Sequence, residues 1–204
     1  ERVCSVSLSR TNVYACLVCG KYFQGRGPKT HAYFHSIDES HHVFMHLDTT
    51  RVYVLPDNYA VDDPSLADIQ YQFELTFSDE ALAQLDAPAP LSRDLHARTY
   101  VPGFLGLNNT AHHDAINVVL QALSHVAPLR DFFLRQKPGS DATELLRRFG
   151  TLVRRLWNPR AFKRQVSPHE FLQQVSQASH GRFTASEACD PVDFLGWLLN
   201  QLHR

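Results

Sequence analysis

The sequence predicts an α+β protein made of two modules: a small α/β finger, followed by a mainly helical part. Three observations carry this. Paired cysteines and histidines crowd the start of the chain. A short proline-rich stretch, Ala87-Pro88-Ala89-Pro90, then breaks the pattern and marks a boundary between residues 1–87 and 88–204. Beyond it, amphipathic segments with helix-start signals follow one another to the end.

The bulk numbers bound the function. Of 204 residues, 44% are hydrophobic, which supports a packed core and argues against disorder. The net charge is −1, so the chain as a whole is no electrostatic match for nucleic acid or an anionic membrane. No run approaches the roughly 18 apolar residues of a membrane span, and no membrane association is expected. The chain begins at Glu1 without an initiator methionine and is read as an excised fragment. Three of the four cysteines, Cys4, Cys16 and Cys19, lie among histidines, while Cys189 stands apart. That is a metal pattern more than a disulfide framework, and it suits a reducing compartment.

Cys16 and Cys19 are followed after fifteen residues by His35, and after five more by His41. This fits the spacing of a tetrahedral structural zinc site. Two thiolates and two imidazoles close the coordination shell and leave no position for a catalytic water, so one structural Zn2+ is expected on Cys16, Cys19, His35 and His41. The alternative of thiols and histidines on a solvated hairpin leaves the close cysteine pair unexplained. His31 and His42 are the rival imidazoles. Around the site, Val13 to Val18, Val43 to Leu47 and Arg51 to Leu55 read as short strands, and Pro28 to Ile37 as a short helix. Leu66 to Phe77 alternates weakly and reads as a further strand. Ser78 caps a helix running to Leu85, with Asp79 and Glu80 in its first turn.

The second module opens with GLNNTAHHDAINVVLQAL, from Gly106 to Leu123. A polar turn runs into a helix whose apolar face is Ala115, Ile116, Val119, Leu120 and Leu123. Asp114 is the expected N-cap. A helix at about 129–135 follows, stopped by Pro138-Gly139. The next, about 142–157, carries the apolar stripe Leu145, Leu146, Phe149, Leu152, Val153 and Leu156. Ser167-Pro168-His169-Glu170 reads as a capping box, and Asp190-Pro191 opens the last helix with apolar Phe194, Leu195, Leu198, Leu199 and Leu202.

These stretches resemble the ubiquitin-specific proteases. Gly106, Leu107, Asn109, Asn117, Leu120, Gln121 and Leu123 match their cysteine box, GLxNxGNTCYMNSxLQxL, without a gap. The catalytic cysteine position is Asp114. Val166 to Gln177 is similar to the family's VSPxxLL segment, and Ala188 to Leu195 to its QQDAHEFL segment. The resemblance implies the thumb-like part of a papain-like domain that lacks its nucleophile, hence a pseudo-protease with no catalytic residue. Cys189 is a poor substitute, beside an acidic helix start with no histidine partner linked to it by motif. The first module resembles the UBP-type zinc finger through Cys16, Cys19, Gly25-Arg26, His31-Ala32, His35 and His41. Members with several zincs build a second site at positions that here are Cys4, Ser7, Gln24 and His31, so that site is expected to be empty. The family reads the free C-terminal glycines of ubiquitin, and the nearest candidates for such contacts are Tyr14, Arg26, Tyr53 and Tyr59. The stretches YACLVCGKYFQGRG, HAYFHS, HHVF, LPDNY, LWNP, VSPHE and DFLGWLLNQLH resemble the spliceosomal branch, the Sad-one type components of the tri-snRNP. That branch implies a nuclear, non-catalytic scaffold supporting tri-snRNP and spliceosome assembly, with tri-snRNP proteins as partners and ubiquitin binding weak or absent.

From Arg130 to Arg164 ten Lys/Arg face three Asp/Glu. Arg147, Arg148, Arg154 and Arg155 repeat at a seven-residue offset, so they share the helix face opposite the apolar stripe. They are candidates for a face that docks RNA or an acidic protein; the competing reading is a solvated helix face. Three hypotheses follow: a splicing scaffold, a ubiquitin-tail adaptor without protease activity, and a hydrolase with an unconventional nucleophile.

Overall fold

A computed structural model describes residues 2–73, 75–85, 91–136, 139 and 141–203. The expected linker Ala87–Pro90 and the Pro138 helix stop lie outside these residues. The chain divides into two compact units, Glu1–Glu74 and Leu75–Arg204. The division falls before the proline-rich stretch because the helix that Ser78 opens packs its Leu82, with Phe77 and Leu85, into the second unit's core.

The first unit is a five-stranded antiparallel sheet in the order β2-β1-β3-β4-β5, from β1 (Val13–Cys16), β2 (Tyr22–Gln24), β3 (Val43–His46), β4 (Val52–Val54) and β5 (Tyr59–Val61). Every residue of β1 is buried because both sheet faces are covered. Tyr14 and Cys16 point to one face, with Phe23, Phe44, Leu55 and Ala32 of α1 (His31–Asp38). Val13 and Ala15 point to the other, with Leu47 and Phe73. Phe73 ends α2 (Ala67–Phe73), which corrects the strand expected over Leu66 to Phe77. Asp63 accepts from the Ser65 amide and, with Pro64, starts a 3-10 turn leading into α2. The weak alternation there is the shadow of a short helix docked by one face.

The second unit is helical: α3 (Asp79–Ala83), α4 (Asp114–Ser124), α5 (Ala127–Arg135), α6 (Glu144–Leu156), α7 (His169–Ala178) and α8 (Pro191–Leu202). Ser78 caps α3 through the Ala81 amide, and Asp190 caps α8 through Val192 and Asp193. The expected stripes form the core: Ile116, Val119, Leu120 and Leu123 of α4, Leu145, Phe149, Leu152, Val153 and Leu156 of α6, and Phe194 and Leu198 of α8. The capping box at Ser167 does not form. Pro168 holds the N-cap position of α7 without a side-chain bond, and Glu170 turns instead to Arg148 of α6, at 3.0 Å. Two short pairings were not foreseen: the hairpin β6 (Ser92–Arg93) with β7 (Thr99–Tyr100), and the parallel pair β8 (Gly106–Leu107) with β9 (Gln165–Val166).

Candidate zinc centre, tail surface and nucleophile position

The β1–β2 turn presents Cys16 and Cys19, α1 presents His35, and the turn into β3 presents His41. One ligand atom from each lies within 4.8 Å of all the others. His35 Nε2 is 3.2 Å from His41 Nδ1 and 3.4 Å from Cys19 Sγ. A tetrahedral zinc with ordinary Zn–N and Zn–S bonds has edges of about 3.3 Å between nitrogens and about 3.6 Å between nitrogen and sulfur, so the four atoms already fit one structural zinc. Burial, then the neighbouring His41, holds the His35 imidazole below its usual pKa, favouring the neutral ligand form. Burial raises the Cys16 thiol, and a bound Zn2+ supplies the charge that holds it as thiolate. Phe23 was not anticipated as part of the site. It stacks on His35 at 4.1 Å between centroids and 24° between planes, fixing the ring that carries Nε2.

The rival imidazoles lie outside this cluster. His42 Nδ1 bonds the Leu55 carbonyl. At the second family position the Cys4 sulfur is fully buried and accepts amides from Val6, Ser7 and Gln24, while Ser7 Oγ donates to Gln24 Oε1 at 2.8 Å. Hydrogen bonds thus tie these three residues together. Burial opposes ionisation of Cys4, but the Ser7 hydroxyl and then the amides of Ser7, Val6 and Gln24 outweigh it and lower its pKa.

Three of the four tail candidates come together. The Arg26 guanidinium lies 4.0 Å over the Tyr53 ring, and Tyr14 meets Tyr53 edge-on at 6.1 Å. Tyr14 is buried, whereas Tyr59 is 54% exposed on β5. Arg26 also donates to Asn58 Oδ1 at 2.8 Å. Asn58 carries a φ of +62°, a turn conformation that asparagine tolerates. Its place in LPDNY was the available signal, but not its partner.

In the second unit, β8 delivers the chain to a polar loop that α4 holds by side chains. Asn117 and His113 both engage the Asn108 carbonyl, and Gln121 the Leu105 carbonyl. The His112 amide reaches Ala185 O, joining this loop to the segment before α8. Asp114 is not the N-cap. His113 holds that position, without a side-chain cap bond, and Asp114 is the first helical residue, exposed to solvent. A buried imidazole at the cap leaves the carboxylate pointing outward, where the helix dipole still favours it. Burial raises the Cys189 thiol, and Asp190, Asp114 and Asp193 raise it further. A thiol so placed has little thiolate with which to attack an amide.

The basic face is also corrected. Arg154 is buried, 7% exposed. Arg147 and Arg148 pair with Glu144, while Arg148 and Arg155 pair with Glu170. Arg154 is withdrawn from the face by burial, and Arg147, Arg148 and Arg155 are partly offset by Glu144 one turn away and by Glu170 on α7. Composition alone counted the charges without their partners.

Family models match two stretches: the zinc finger in ubiquitin-hydrolases and other protein over residues 4–66, and ubiquitin carboxyl-terminal hydrolase over residues 105–204. The chain is 53% identical along its whole length to human ubiquitin carboxyl-terminal hydrolase 39, spanning 37% of that protein. It is 49% identical to the probable mRNA-splicing protein ubp10 of Schizosaccharomyces pombe, again along its whole length, and spans 40% of it. It is 37% identical to the pre-mRNA-splicing factor SAD1 of Saccharomyces cerevisiae, over 99% of this chain and 44% of that one. The crystal structure of an essential yeast splicing factor superposes with a TM-score of 0.83 at 35% identity, over 99% of this chain and 50% of that one. The chain thus spans half or less of each of these relatives. It is similar, in order, to a zinc finger of the ubiquitin-hydrolase type and to a ubiquitin carboxyl-terminal hydrolase domain, and along nearly its whole length to these splicing proteins.

Proposed function

We propose that this chain is the non-catalytic interaction part of a nuclear pre-mRNA splicing factor, a pseudo-protease that supports tri-snRNP and spliceosome assembly by holding protein partners. Its resemblance to two splicing proteins and to a splicing-factor structure, along nearly the whole chain, carries the splicing half of this reading. The scaffold half rests on Asp114, an exposed carboxylate at the start of α4 where the proteases carry their thiol. A carboxylate lacks the nucleophilicity toward an amide that a thiolate has, and burial, with three nearby aspartates, raises the Cys189 thiol. The test is a pull-down of the full-length protein from nuclear extract, with and without ribonuclease, read by mass spectrometry. Recovery of tri-snRNP proteins after ribonuclease supports the scaffold. Recovery of ubiquitin conjugates without splicing proteins overturns it.

The convergence of Tyr14, Arg26 and Tyr53 favours a second reading, an adaptor for the ubiquitin C-terminal tail. Against it, Arg26 already has Asn58 as a partner, so a tail carboxylate must displace that bond. Titration with ubiquitin and with ubiquitin lacking its two terminal glycines separates the readings. Equal, weak responses exclude tail recognition.

A further inference from the structure

The hairpin β6–β7 and the loop from Asn158 to Arg164 are stapled into one rigid surface. Tyr100 donates to the Asn158 carbonyl at 3.1 Å, and its oxygen accepts the Ala161 amide at 2.7 Å. The Leu95 amide donates to the Phe162 carbonyl at 3.1 Å. At the hairpin tip, Asp94 is buried and accepts the amides of His96 and Arg98 and the Arg98 guanidinium, each at 2.9 Å, with Arg164 at 3.7 Å.

This clamp leaves two apolar side chains in water on neighbouring backbone: Leu95 at 68% exposed and Phe162 at 47%. The same two stretches carry cations. Residues 91–100 and 157–166 contain five Arg/Lys, namely Arg93, Arg98, Arg160, Lys163 and Arg164, and all five are exposed. The one acidic residue in these stretches, Asp94, is the buried staple. The α6 arginines are tied to Glu144 and Glu170, so this surface differs from the helix face in having no exposed carboxylate of its own.

We propose that the Leu95–Phe162 spot with its cationic rim is a docking site for an acidic protein segment bearing apolar side chains. An apolar centre with a charged rim is the anatomy of a protein interface, and its sign selects carboxylates. Single-stranded nucleic acid fits less well, since it asks for several aromatic platforms along a cationic track. Here one aromatic ring sits beside an aliphatic leucine that has no π-face. The site goes beyond the splicing reading and does not depend on it.

The test uses the full chain and a labelled acidic peptide carrying one phenylalanine and one leucine, EDEFEDLDE. Controls are EDEGEDGDE and an oligouridylate, with fluorescence anisotropy at two salt concentrations. The apolar-acidic peptide is expected to bind at least tenfold more tightly than the glycine peptide, and more weakly as salt rises. The Arg93→Glu, Lys163→Glu double variant abolishes the binding. The Leu95→Ser, Phe162→Ser double variant brings the first peptide down to the level of the glycine peptide. All these side chains are exposed, so melting temperatures should stay at the wild-type value, and a circular dichroism melt checks this. The proposal is overturned if the peptide fails to bind, if binding ignores both double variants, or if only the oligouridylate binds and does so through Phe162.

Discussion

Removing the zinc should unfold the first unit and leave the second intact. The unit holds 74 residues, and its buried apolar side chains split into two small clusters on opposite faces of the sheet. A core of this size supplies only about 3–5 kcal/mol, whereas a structural zinc contributes about 10–16 kcal/mol to small fingers. Small folded domains hold only about 5–15 kcal/mol in all, so losing a contribution of the ion's size brings the unit to zero or below. The perturbations are Cys16→Ser, His41→Ala and a strong chelator. Cys16 is fully buried, so its replacement also disturbs packing. His41 is only half-buried and outside the apolar clusters, so it isolates the ligand's role. The assay is hydrogen exchange read by mass spectrometry, with zinc release followed by a colorimetric chelator. Amides of β1, β3 and β4 should lose protection in step with zinc release, while those of α4, α6 and α8 keep theirs. Full protection of β1 and β3 after release of one equivalent of zinc would refute the reasoning, and so would a His41→Ala protein that keeps its zinc and its fold.

Asp114→Ala should change stability by no more than the roughly 0.3–1 kcal/mol of a carboxylate at a helix start, and should leave cleavage of a fluorogenic ubiquitin substrate at background; measurable turnover lost in the variant would contradict the pseudo-protease reading. Gly103→Ala should destabilise the second unit by about 1–3 kcal/mol, because the added Cβ comes 2.8 Å from the Trp157 ring on a backbone with φ of +90°; a urea midpoint equal to wild type would count against that packing. Asp94→Asn should show a pH signature. Burial pushes the Asp94 carboxyl up, but two amides and Arg98 outweigh it and hold it below the usual carboxylate range. The ionised form therefore stabilises the fold fully above the unfolded value of about 3.9, and that contribution disappears as pH falls through the folded value. The stability gap between wild type and variant should shrink on acidification below about pH 4, and a pH-independent gap in urea titrations would sink this account.

Local chemistry made much of the molecule legible in advance. The cysteine and histidine spacing named the zinc ligands because a tetrahedral ion tolerates few loop lengths. Helical periodicity named the core faces of α4, α6 and α8 because burial follows the 3.6-residue repeat. Asp190 was readable as a cap because a carboxylate before Pro191 has its own next amides to bind.

Other features needed the third dimension. Asp114 and Ser167 carried the same kind of cap signal as Asp190. They failed because His113 took the first cap position and because Glu170, the box's reciprocal partner, was drawn to Arg148 across a helix–helix contact. Leu66 to Phe77 was ambiguous because a short segment fits either period until a sheet face selects one. The arginines of α6 looked like an open cationic face until Glu144 and Glu170 came within reach, while Leu95 and Phe162, on segments far apart in sequence, came to share a backbone hydrogen bond. Charge partners and clamped loops are long-range pairings, and no local pattern encodes them. The sequence by itself determined the metal and the helices; which side chains cap, which charges are paired and which surface stays open were decided by tertiary contacts.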